Sequence, residues 1–204
     1  MDQWVQPRGA SPGPAVTARH ARHAGEGTEW VDQLVEEARR GDVRAFEQLV
    51  KPHLPRLYRL AAAMVGTDDA RDVTQETLVS AWRELRRLQR PDRLESWLRS
   101  ILMNRARNVL RTRRRHPAVR FDLNAGHADR MLHEPMSALP GRWEVEDALT
   151  KLGPDQRAVV VLHYFADLPL RQVAVTLGVR EGTVKSRLNA ALRNLRLAFP
   201  EGST

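Results

Sequence analysis

The chain contains no cysteine, which excludes disulfide bonds, thiolate zinc sites and a cysteine nucleophile. Long apolar runs are also missing: runs such as residues 60–65 and 158–162 are far too short to span a bilayer, and the N-terminus lacks the apolar core of a secretory signal. The seven histidines are dispersed, and neither a nucleophile beside a base nor a glycine-rich phosphate loop occurs. The sequence therefore predicts a soluble cytoplasmic protein that is not an enzyme and holds no cofactor or metal.

Lysine is scarce, with 3 lysines beside 30 arginines, and the 25 acidic residues are too few to balance them. The formal net charge is +8 and the pI is about 11.0. Such an excess of positive charge favours a polyanionic partner. At 204 residues the chain can hold one ordinary domain or two small ones.

Strand-like alternation of useful length is missing too, so the pattern predicts an all-α fold of two small helical domains joined by a flexible linker. Residues 1–27 hold proline and glycine without apolar periodicity, as is typical of a disordered extension. Helical stripes predict a first domain of four helices at residues 28–115. Residues 116–142 have the composition of a linker, and a second helical domain is predicted at residues 143–199, before a tail at 200–204.

The stretch from Leu170 to Leu195 has the pattern of a helix-turn-helix. Two apolar stripes of helical spacing flank Gly178, which can take a positive φ. The stripes are formed by Val173, Ala174 and Leu177, and by Val184, Leu188, Ala191, Leu192 and Leu195. The outer face of the second helix would then carry cations and hydrogen-bonding groups that suit phosphates and base edges in the major groove. A glycine between two amphipathic helices is also a common packing unit, so both interpretations stay open for this segment alone.

A second pattern places three carboxylates on one helix face. Asp69, Asp72 and Glu76 are spaced at i, i+3 and i+7, with Gln75 beside them. A solvated face near a helix N-terminus explains this spacing, because the helix macrodipole favours anions there. A docking site for another protein explains it equally well, since acid gives a basic DNA-binding protein no advantage toward DNA.

Arginine is concentrated in one segment of the first domain. Six arginines occur within eleven residues, with no acidic residue among them: Arg105, Arg107, Arg111, Arg113, Arg114 and Arg115. Like charges three and four residues apart repel, and phosphate groups would relieve that repulsion. Trp97, Asn104, Asn108 and Arg111 share one side of the same helix, an arrangement typical of single-stranded DNA binding, where bases stack on rings. Trp97 is equally expected to belong to the core.

In this order and spacing, the patterns resemble the extracytoplasmic-function (group 4) sigma factors, short bacterial factors of the sigma-70 family that keep only regions 2 and 4. Residues 68–85 (DDARDVTQETLVSAWREL) are similar to region 2.2, residues 94–115 (LESWLRSILMNRARNVLRTRRR) to regions 2.3 and 2.4, and residues 170–188 (LRQVAVTLGVREGTVKSRL) to region 4.2. The resemblance covers about residues 30–115 and 143–197. It implies an RNA polymerase sigma factor that directs core polymerase to specific promoters and helps to open the DNA.

The resemblance also implies partners and the residues that meet them. Core RNA polymerase would bind through its β′ clamp helices and β flap, and the clamp helices would contact Asp69, Asp72, Gln75 and Glu76. The −10 element would be bound both as duplex and as non-template single strand, with one base flipped into the loop at residues 89–94. Its contacts would be Arg90, Asp92, Arg93, Trp97, Asn104, Arg107, Asn108, Arg111, Arg114 and Arg115. The −35 duplex would contact Arg171, Arg180, Glu181, Gly182, Thr183, Lys185, Ser186, Arg187 and Asn189. The linker would thread toward the polymerase active centre. An anti-sigma factor is a further candidate partner, although no residue demands one, and the chain would join the nucleoid when bound to polymerase.

Two positions depart from the family pattern. Members commonly have aspartate where this chain has Asn108, and arginine where it has Ala190, so one expected −35 contact is missing. The alternative interpretation is a conventional regulator of the response-regulator output type, because TVK within a helix-turn-helix occurs there as well. Such a regulator would bind duplex operators as a dimer and would not need an acidic docking helix.

Overall fold

The computed structural model describes residues 30–115 and 142–198. Within these ranges every regular element is helical, which confirms the all-α prediction. The predicted N-terminal extension and tail lie outside the described residues, as does the predicted linker apart from residue 142. The helices are α1 (30–39), α2 (Val43–Val50), α3 (Leu54–Val65), α4 (Thr67–Glu84), α5 (Leu94–Arg115), α6 (Arg142–Lys151), α7 (Pro154–Val160), α8 (Leu170–Leu177) and α9 (Glu181–Ala198).

The first two helices are separated by a tight turn. Gly41 takes a φ of +100°, which a side chain would disfavour, and ends α1. The Oδ1 of Asp42 then accepts hydrogen bonds from the backbone N–H groups of Arg44 at 2.8 Å and Ala45 at 3.1 Å, so Asp42 caps the N-terminus of α2. By its spacing, Trp30 belongs to the apolar stripe of α1. It is nevertheless 49% exposed, because it is the first residue of the helix and no helical turn precedes it.

Pro52 and Pro55 interrupt the long helix that the apolar stripe by itself suggests. A 3-10 segment at Lys51–His53 separates α2 from α3, because proline offers no backbone N–H to continue the α-helical ladder. Gly66, with a φ of +91°, ends α3, and its N–H donates to the carbonyl of Ala62 at 2.9 Å.

Helices α3, α4 and α5 pack together around a core of large apolar side chains. The core includes Leu57, Leu60, Met64, Val73, Ala81, Leu98, Leu102 and Met103. Two buried threonines on α4, Thr74 and Thr77, donate back to the carbonyls of Ala70 and Val73, each at 2.7 Å, so their hydroxyl groups are paired. Two further 3-10 segments, Leu85–Arg87 and Pro91–Arg93, connect α4 to α5.

Helices α8 and α9 confirm the predicted helix-turn-helix. Gly178 ends α8 in the left-handed conformation, with φ +65° and ψ +36°. Val184, Leu188 and Ala191 are buried on one side of α9, as the spacing predicts. The apolar pattern after Pro154 predicts that Phe165 packs inward together with Val159, Val160 and Leu162. Phe165 is instead 44% exposed, because the π-helical turn at Val161–Phe165 rotates the chain before α8.

Contacts divide the described residues into two compact units, one that ends at residue 49 and one that begins at residue 50. Within the second unit, α5 packs against α7 and α8, and α3 packs against the π-helical turn, so helices from both predicted domains meet there. The domain boundaries at residues 28–115 and 143–199 stay a prediction. Across the described ranges, no helix combines the length and the apolar character that a membrane crossing requires.

Candidate nucleic-acid interface

The predicted acidic face lies along α4 and is largely accessible. Asp72, Gln75 and Glu76 are exposed, whereas Asp69 is half-buried and forms an ion pair with Arg113 of α5. A shallow depression of about 500 Å³ runs beside this face. It is lined by Asp72, Gln75, Glu76, Val79, Ser80, Arg83 and Arg105. Carboxylates, an exposed valine and two cations therefore share one surface, which suits a protein partner better than DNA.

The arginine-rich segment does not form one continuous surface. Arg105 points toward α4, where its Nη1 lies 3.5 Å from Glu76 Oε2 and its Nη2 donates to Ser80 Oγ at 2.5 Å. Arg113 points to the same side and donates from Nη1 to the carbonyl of Val65 at 3.2 Å. Carboxylates of the chain itself thus relieve part of the repulsion among these arginines, which the sequence pattern predicted phosphate groups to relieve.

The other four arginines of the arginine-rich segment lie on other sides of α5. Arg107 and Arg111 face α7, and Arg114 donates from Nη2 to the carbonyl of Leu152 at 2.6 Å. Arg115 and the neighbouring Asn108 are exposed. Asn104 is exposed as well, and its Oδ1 accepts a hydrogen bond from Arg107 Nη2 at 2.5 Å.

The loop before α5 is held by a compact ion pair. Arg90 contacts both carboxylate oxygens of Asp92, with Nε to Oδ1 at 3.0 Å and Nη2 to Oδ2 at 2.8 Å. Arg93 contacts the same carboxylate, with its Nε 3.6 Å from Oδ2. Trp97, in the first turn of α5, is half-buried.

Asp155, in the first turn of α7, contacts arginines from two predicted DNA-binding faces. Its Oδ1 lies 3.3 Å from Arg107 Nη1 and 3.0 Å from Arg111 Nη2. Its Oδ2 lies 3.5 Å from Arg187 Nη2 on α9. Burial lowers the pKa of Arg107, and the carboxylate of Asp155 opposes that shift. One carboxylate is therefore shared by three guanidinium groups.

The outer face of α9 and the start of α8 carry the predicted −35 residues. Arg171, Arg180, Glu181, Gly182, Lys185, Ser186 and Asn189 are exposed, and Thr183 and Arg187 are half-buried. Lys185 Nζ lies 2.9 Å from Glu181 Oε1 one turn earlier, and Ser186 Oγ donates to the carbonyl of Thr183 at 3.0 Å. Ala190 is half-buried, so this departure from the family pattern stands at the margin of the outer face.

Sequence reasoning missed the role of Asp155. It stands 44 and 48 residues from Arg111 and Arg107, and no periodicity connects positions so far apart. In the sequence it is an ordinary acidic residue after a proline at the start of a helix. Only its contact with α5 and α9 distinguishes it from other such residues.

Comparison with known families assigns both parts of the described chain. Residues 49–116 match the model of sigma-70 region 2, and residues 142–195 match that of sigma-70 region 4. The ECF RNA polymerase sigma factor SigL of Mycobacterium tuberculosis is 34% identical over 157 residues, which cover 75% of this chain and 88% of SigL. The chain belongs to the ECF sigma factors.

Further relatives agree with this assignment. RNA polymerase sigma factor SigV of Bacillus subtilis is 29% identical, with 72% of this sigma factor and 87% of SigV covered. Among solved structures, the sigma factor RpoE from Bartonella quintana, in complex with the anti-sigma factor NepR, aligns with a TM-score of 0.59 and 26% identity over 78% of this chain and 99% of RpoE. CnrH, in complex with the cytosolic domain of CnrY, aligns with a TM-score of 0.59 and 30% identity over 83% of this chain and 97% of CnrH.

The family match assigns the surfaces of this sigma factor to its two regions. The acidic face and the arginine-rich helix lie in region 2, and the helix-turn-helix lies in region 4. Asp155 belongs to region 4, whereas Arg107 and Arg111 belong to region 2. The Asp155 contacts therefore join the two regions.

Proposed function

We propose that this sigma factor binds core RNA polymerase, recognises a −10 and a −35 promoter element with separate helical faces, and helps to open the DNA at the start site. The observation that carries the proposal is a region 2 match followed by a region 4 match in one chain. A regulator of the response-regulator type would account for α8 and α9 and would leave residues 49–116 unexplained. The polymerase supplies the chemistry, so the chain is not itself an enzyme, and it works in the cytoplasm on the nucleoid.

The acidic face of α4 is the proposed contact with the β′ clamp helices. Asp72, Gln75 and Glu76 are exposed in a row along the helix, and Val79 continues that row with 48% exposure. Asp69 stands at the start of this face, where its ion pair with Arg113 fixes its position. Carboxylates beside an exposed apolar side chain can provide both charge complementarity and apolar surface that a partner would bury. Region 4 supplies the proposed contact with the β flap.

The loop at residues 89–94 and the exposed side of α5 are the proposed −10 contacts. Arg90 and Arg93 both contact the carboxylate of Asp92 within this loop, and the half-buried Trp97 follows in the first turn of α5. Flipping one base costs a few kcal/mol of unstacking, and polymerase binding together with phosphate contacts must offset that cost. The phosphate contacts are assigned to Asn104, Arg107, Asn108, Arg111, Arg114 and Arg115.

The outer face of α9 is the proposed −35 reader. Its exposed groups combine cations with hydrogen-bonding side chains, the mixture that phosphate positioning and base readout require. Arg180 directly precedes α9, and its carbonyl accepts the first hydrogen bonds of that helix, from the N–H groups of Thr183 at 2.9 Å and Val184 at 3.2 Å. Arg180 therefore stands at the N-terminal end of α9, the end that a recognition helix inserts into the major groove. An anti-sigma factor is a further proposed partner, because RpoE and CnrH were each solved with such a protein or with a cytosolic domain seated on them.

Run-off transcription tests the proposal. Transcription starts mapped after controlled expression of the chain give candidate promoters, and one of these serves as template for purified core polymerase without any other sigma factor. We expect a product of defined length only when the chain is added. The matched controls are the same template with the −10 or the −35 segment scrambled, which should each abolish the product. The proposal is contradicted if no product forms, or if the product forms equally well on both scrambled templates.

A further inference from the structure

Arg105 belongs to the arginine-rich segment but not to the proposed −10 contacts. Its side chain points toward α4, where Nη2 donates to Ser80 Oγ at 2.5 Å and Nη1 lies 3.5 Å from Glu76 Oε2. Ser80 is only 5% exposed, whereas Arg105 and Glu76 are both exposed. A buried hydroxyl group therefore holds an accessible guanidinium group beside the acidic face.

The depression beside the acidic face carries charges of both signs. Asp72 and Glu76 supply two carboxylates, and Arg83 and Arg105 supply two guanidinium groups. All four side chains are exposed. A partner with basic residues alone would be attracted by the carboxylates and repelled by the guanidinium groups. The complementary surface must therefore carry both signs as well.

The charges are ordered along α4. Asp72, Glu76 and Arg83 follow each other at spacings of four and seven residues, which place them on one face of the helix. Because an α-helix rises about 1.5 Å per residue, Asp72 and Arg83 lie about 16 Å apart along the axis. Arg105 lies beside the middle of this row, next to Glu76 and Ser80. A partner helix along α4 can therefore place a basic side chain near Asp72 and an acidic one near the two arginines.

The contacts of Arg105 leave capacity for a further acceptor. A guanidinium group carries five N–H donors, and the contacts with Ser80 and Glu76 engage one donor on each terminal nitrogen. The 3.5 Å distance to Glu76 also exceeds the roughly 2.7–2.9 Å of a strong charge-assisted hydrogen bond. A carboxylate of a partner can therefore bind Arg105 without displacing its hydrogen bond to Ser80.

We infer that Arg105 and Arg83 contact the polymerase, where they bind an acidic side chain of the clamp helices. Asp72 and Glu76 bind a basic side chain of the same helices. The inference rests on the proposed function for the identity of the partner. It divides the arginine-rich segment between two ligands, since Arg105 serves the polymerase while the arginines on other sides of α5 serve DNA. A surface with both signs also disfavours partners of uniformly positive charge, so Arg105 contributes to selectivity.

The test compares Arg105→Gln with Arg87→Gln in the full chain. Both substitutions remove one positive charge from an exposed arginine that contacts a glutamate. Arg87 Nη1 lies 2.9 Å from Glu84 Oε2, and Arg87 stands outside the residues that line the depression. Affinity for immobilised core polymerase is measured at several salt concentrations. We expect Arg105→Gln to weaken binding about fivefold relative to Arg87→Gln and to flatten its salt dependence, because an intermolecular ion pair is lost.

Ser80→Ala tests whether the hydroxyl group acts by orienting Arg105. The substitution removes the acceptor and leaves every charge in place, so affinity for core polymerase should fall by a smaller factor of about two. Ser80→Ala combined with Arg105→Gln should bind as Arg105→Gln does alone, because no guanidinium group remains to be oriented. A further loss in the combined variant, equal to that of Ser80→Ala alone, would show that the hydroxyl group acts independently of Arg105.

Run-off transcription separates a polymerase contact from a DNA contact. A DNA contact cannot be restored by adding more protein, whereas weakened docking can. We therefore expect a high concentration of Arg105→Gln to restore the product to the wild-type level. Wild-type polymerase affinity combined with a product that stays low at saturation would assign Arg105 to DNA and overturn the inference.

Polymerase affinity of Arg105→Gln equal to or above that of Arg87→Gln also overturns the inference, and a gain would show that Arg105 faces cations of the partner. Should Arg105→Gln fail to fold by circular dichroism, Arg83→Gln, at a second exposed position, must weaken binding by itself. A wild-type chain that binds polymerase through Arg105 but yields no run-off product contradicts the proposed promoter function and leaves this contact standing. A wild-type chain that does not bind core polymerase overturns both.

Discussion

Arg157 of α7 and Ala63 of α3 stand 94 residues apart in the chain, and the Arg157 Nε–H donates to the Ala63 carbonyl at 2.9 Å. Ala63 is among the last residues of α3, where backbone carbonyls have no helical partner. Arg113 serves the Val65 carbonyl of the same helix end at 3.2 Å. Two arginines from other helices thus donate to carbonyls at the C-terminus of α3 that lack a donor within the helix. Their positive charges also interact favourably with the negative end of the helix dipole.

Arg157→Ala should destabilise the fold. The substitution removes a buried charged donor and leaves the Ala63 carbonyl without it, which costs about 2–3 kcal/mol. The free energy of unfolding from urea titration measures the loss. Arg193→Ala, at an exposed position on α9, is the control and should change stability by less than about 0.5 kcal/mol. Equal effects of the two substitutions would refute a structural role for the Arg157 contact.

Reversing the acidic face should weaken polymerase binding without unfolding the chain. Asp72→Lys with Glu76→Lys replaces two exposed carboxylates by cations, and we expect at least about a tenfold loss of affinity for core polymerase. Asp32→Lys with Glu47→Lys makes the same change in net charge at exposed positions of α1 and α2. Affinity is measured as binding of each variant to core polymerase immobilised on a surface. Equal losses of affinity in both double variants would reject the assignment of the acidic face to polymerase binding.

Lys185 and Lys151 form a natural pair for testing the −35 surface. Each is exposed and pairs with an acidic residue four positions earlier, at 2.9 Å and 2.8 Å, but only Lys185 lies on the outer face of α9. Lys185→Ala should lower affinity for promoter duplex and reduce the slope of log affinity against log salt by about 0.9 for the lost phosphate contact. Lys151→Ala should leave the slope unchanged, and an unchanged slope in Lys185→Ala means that this cation does not touch phosphate.

His53 should make stability depend on pH. Burial lowers the pKa of His53 below its ordinary value of 6.5, Glu95 opposes the shift, and Arg56 and Arg99 add to it. The folded chain therefore takes up this proton at lower pH than the unfolded chain. The stability that neutral His53 contributes is complete above pH 6.5 and declines as the pH falls through the folded pKa.

His53→Gln removes that titration while keeping a polar side chain. The free energy of unfolding, measured by urea titration at a series of pH values, should fall less steeply below pH 6.5 in the variant than in wild type. The other histidines are common to both proteins and cancel in the comparison. Parallel pH profiles would show that His53 has the same pKa in both states.

The helices and their ends could be predicted because their signals are local. Gly41, Gly66 and Gly178 each stand at a positive φ where a helix ends, and Asp42 caps the helix that follows it. Apolar spacing identified the buried sides of α4, α5 and α9 for the same reason: helical periodicity depends only on neighbours a few residues away. Phe165 was misassigned because a π-helical turn changes the periodicity by one residue.

The distribution of the arginines could not be predicted in the same way. The run from Arg105 to Arg115 indicates a basic segment, and its sequence does not show that Arg105 and Arg113 contact α4 while Arg107 and Arg111 contact α7. Successive positions of a helix point in different directions, and what each meets depends on the helices packed around it.

By itself, the sequence determined the all-α fold, the helix-turn-helix, the acidic face and the family, since each rests on residue types at short, regular spacing. The tertiary structure alone decided which charges are accessible and which are already paired. Asp155 shows the difference most clearly, because its contacts with Arg107, Arg111 and Arg187 arise where three helices meet. Ion pairs depend on distance in space, and distances between positions far apart in the chain are set by packing.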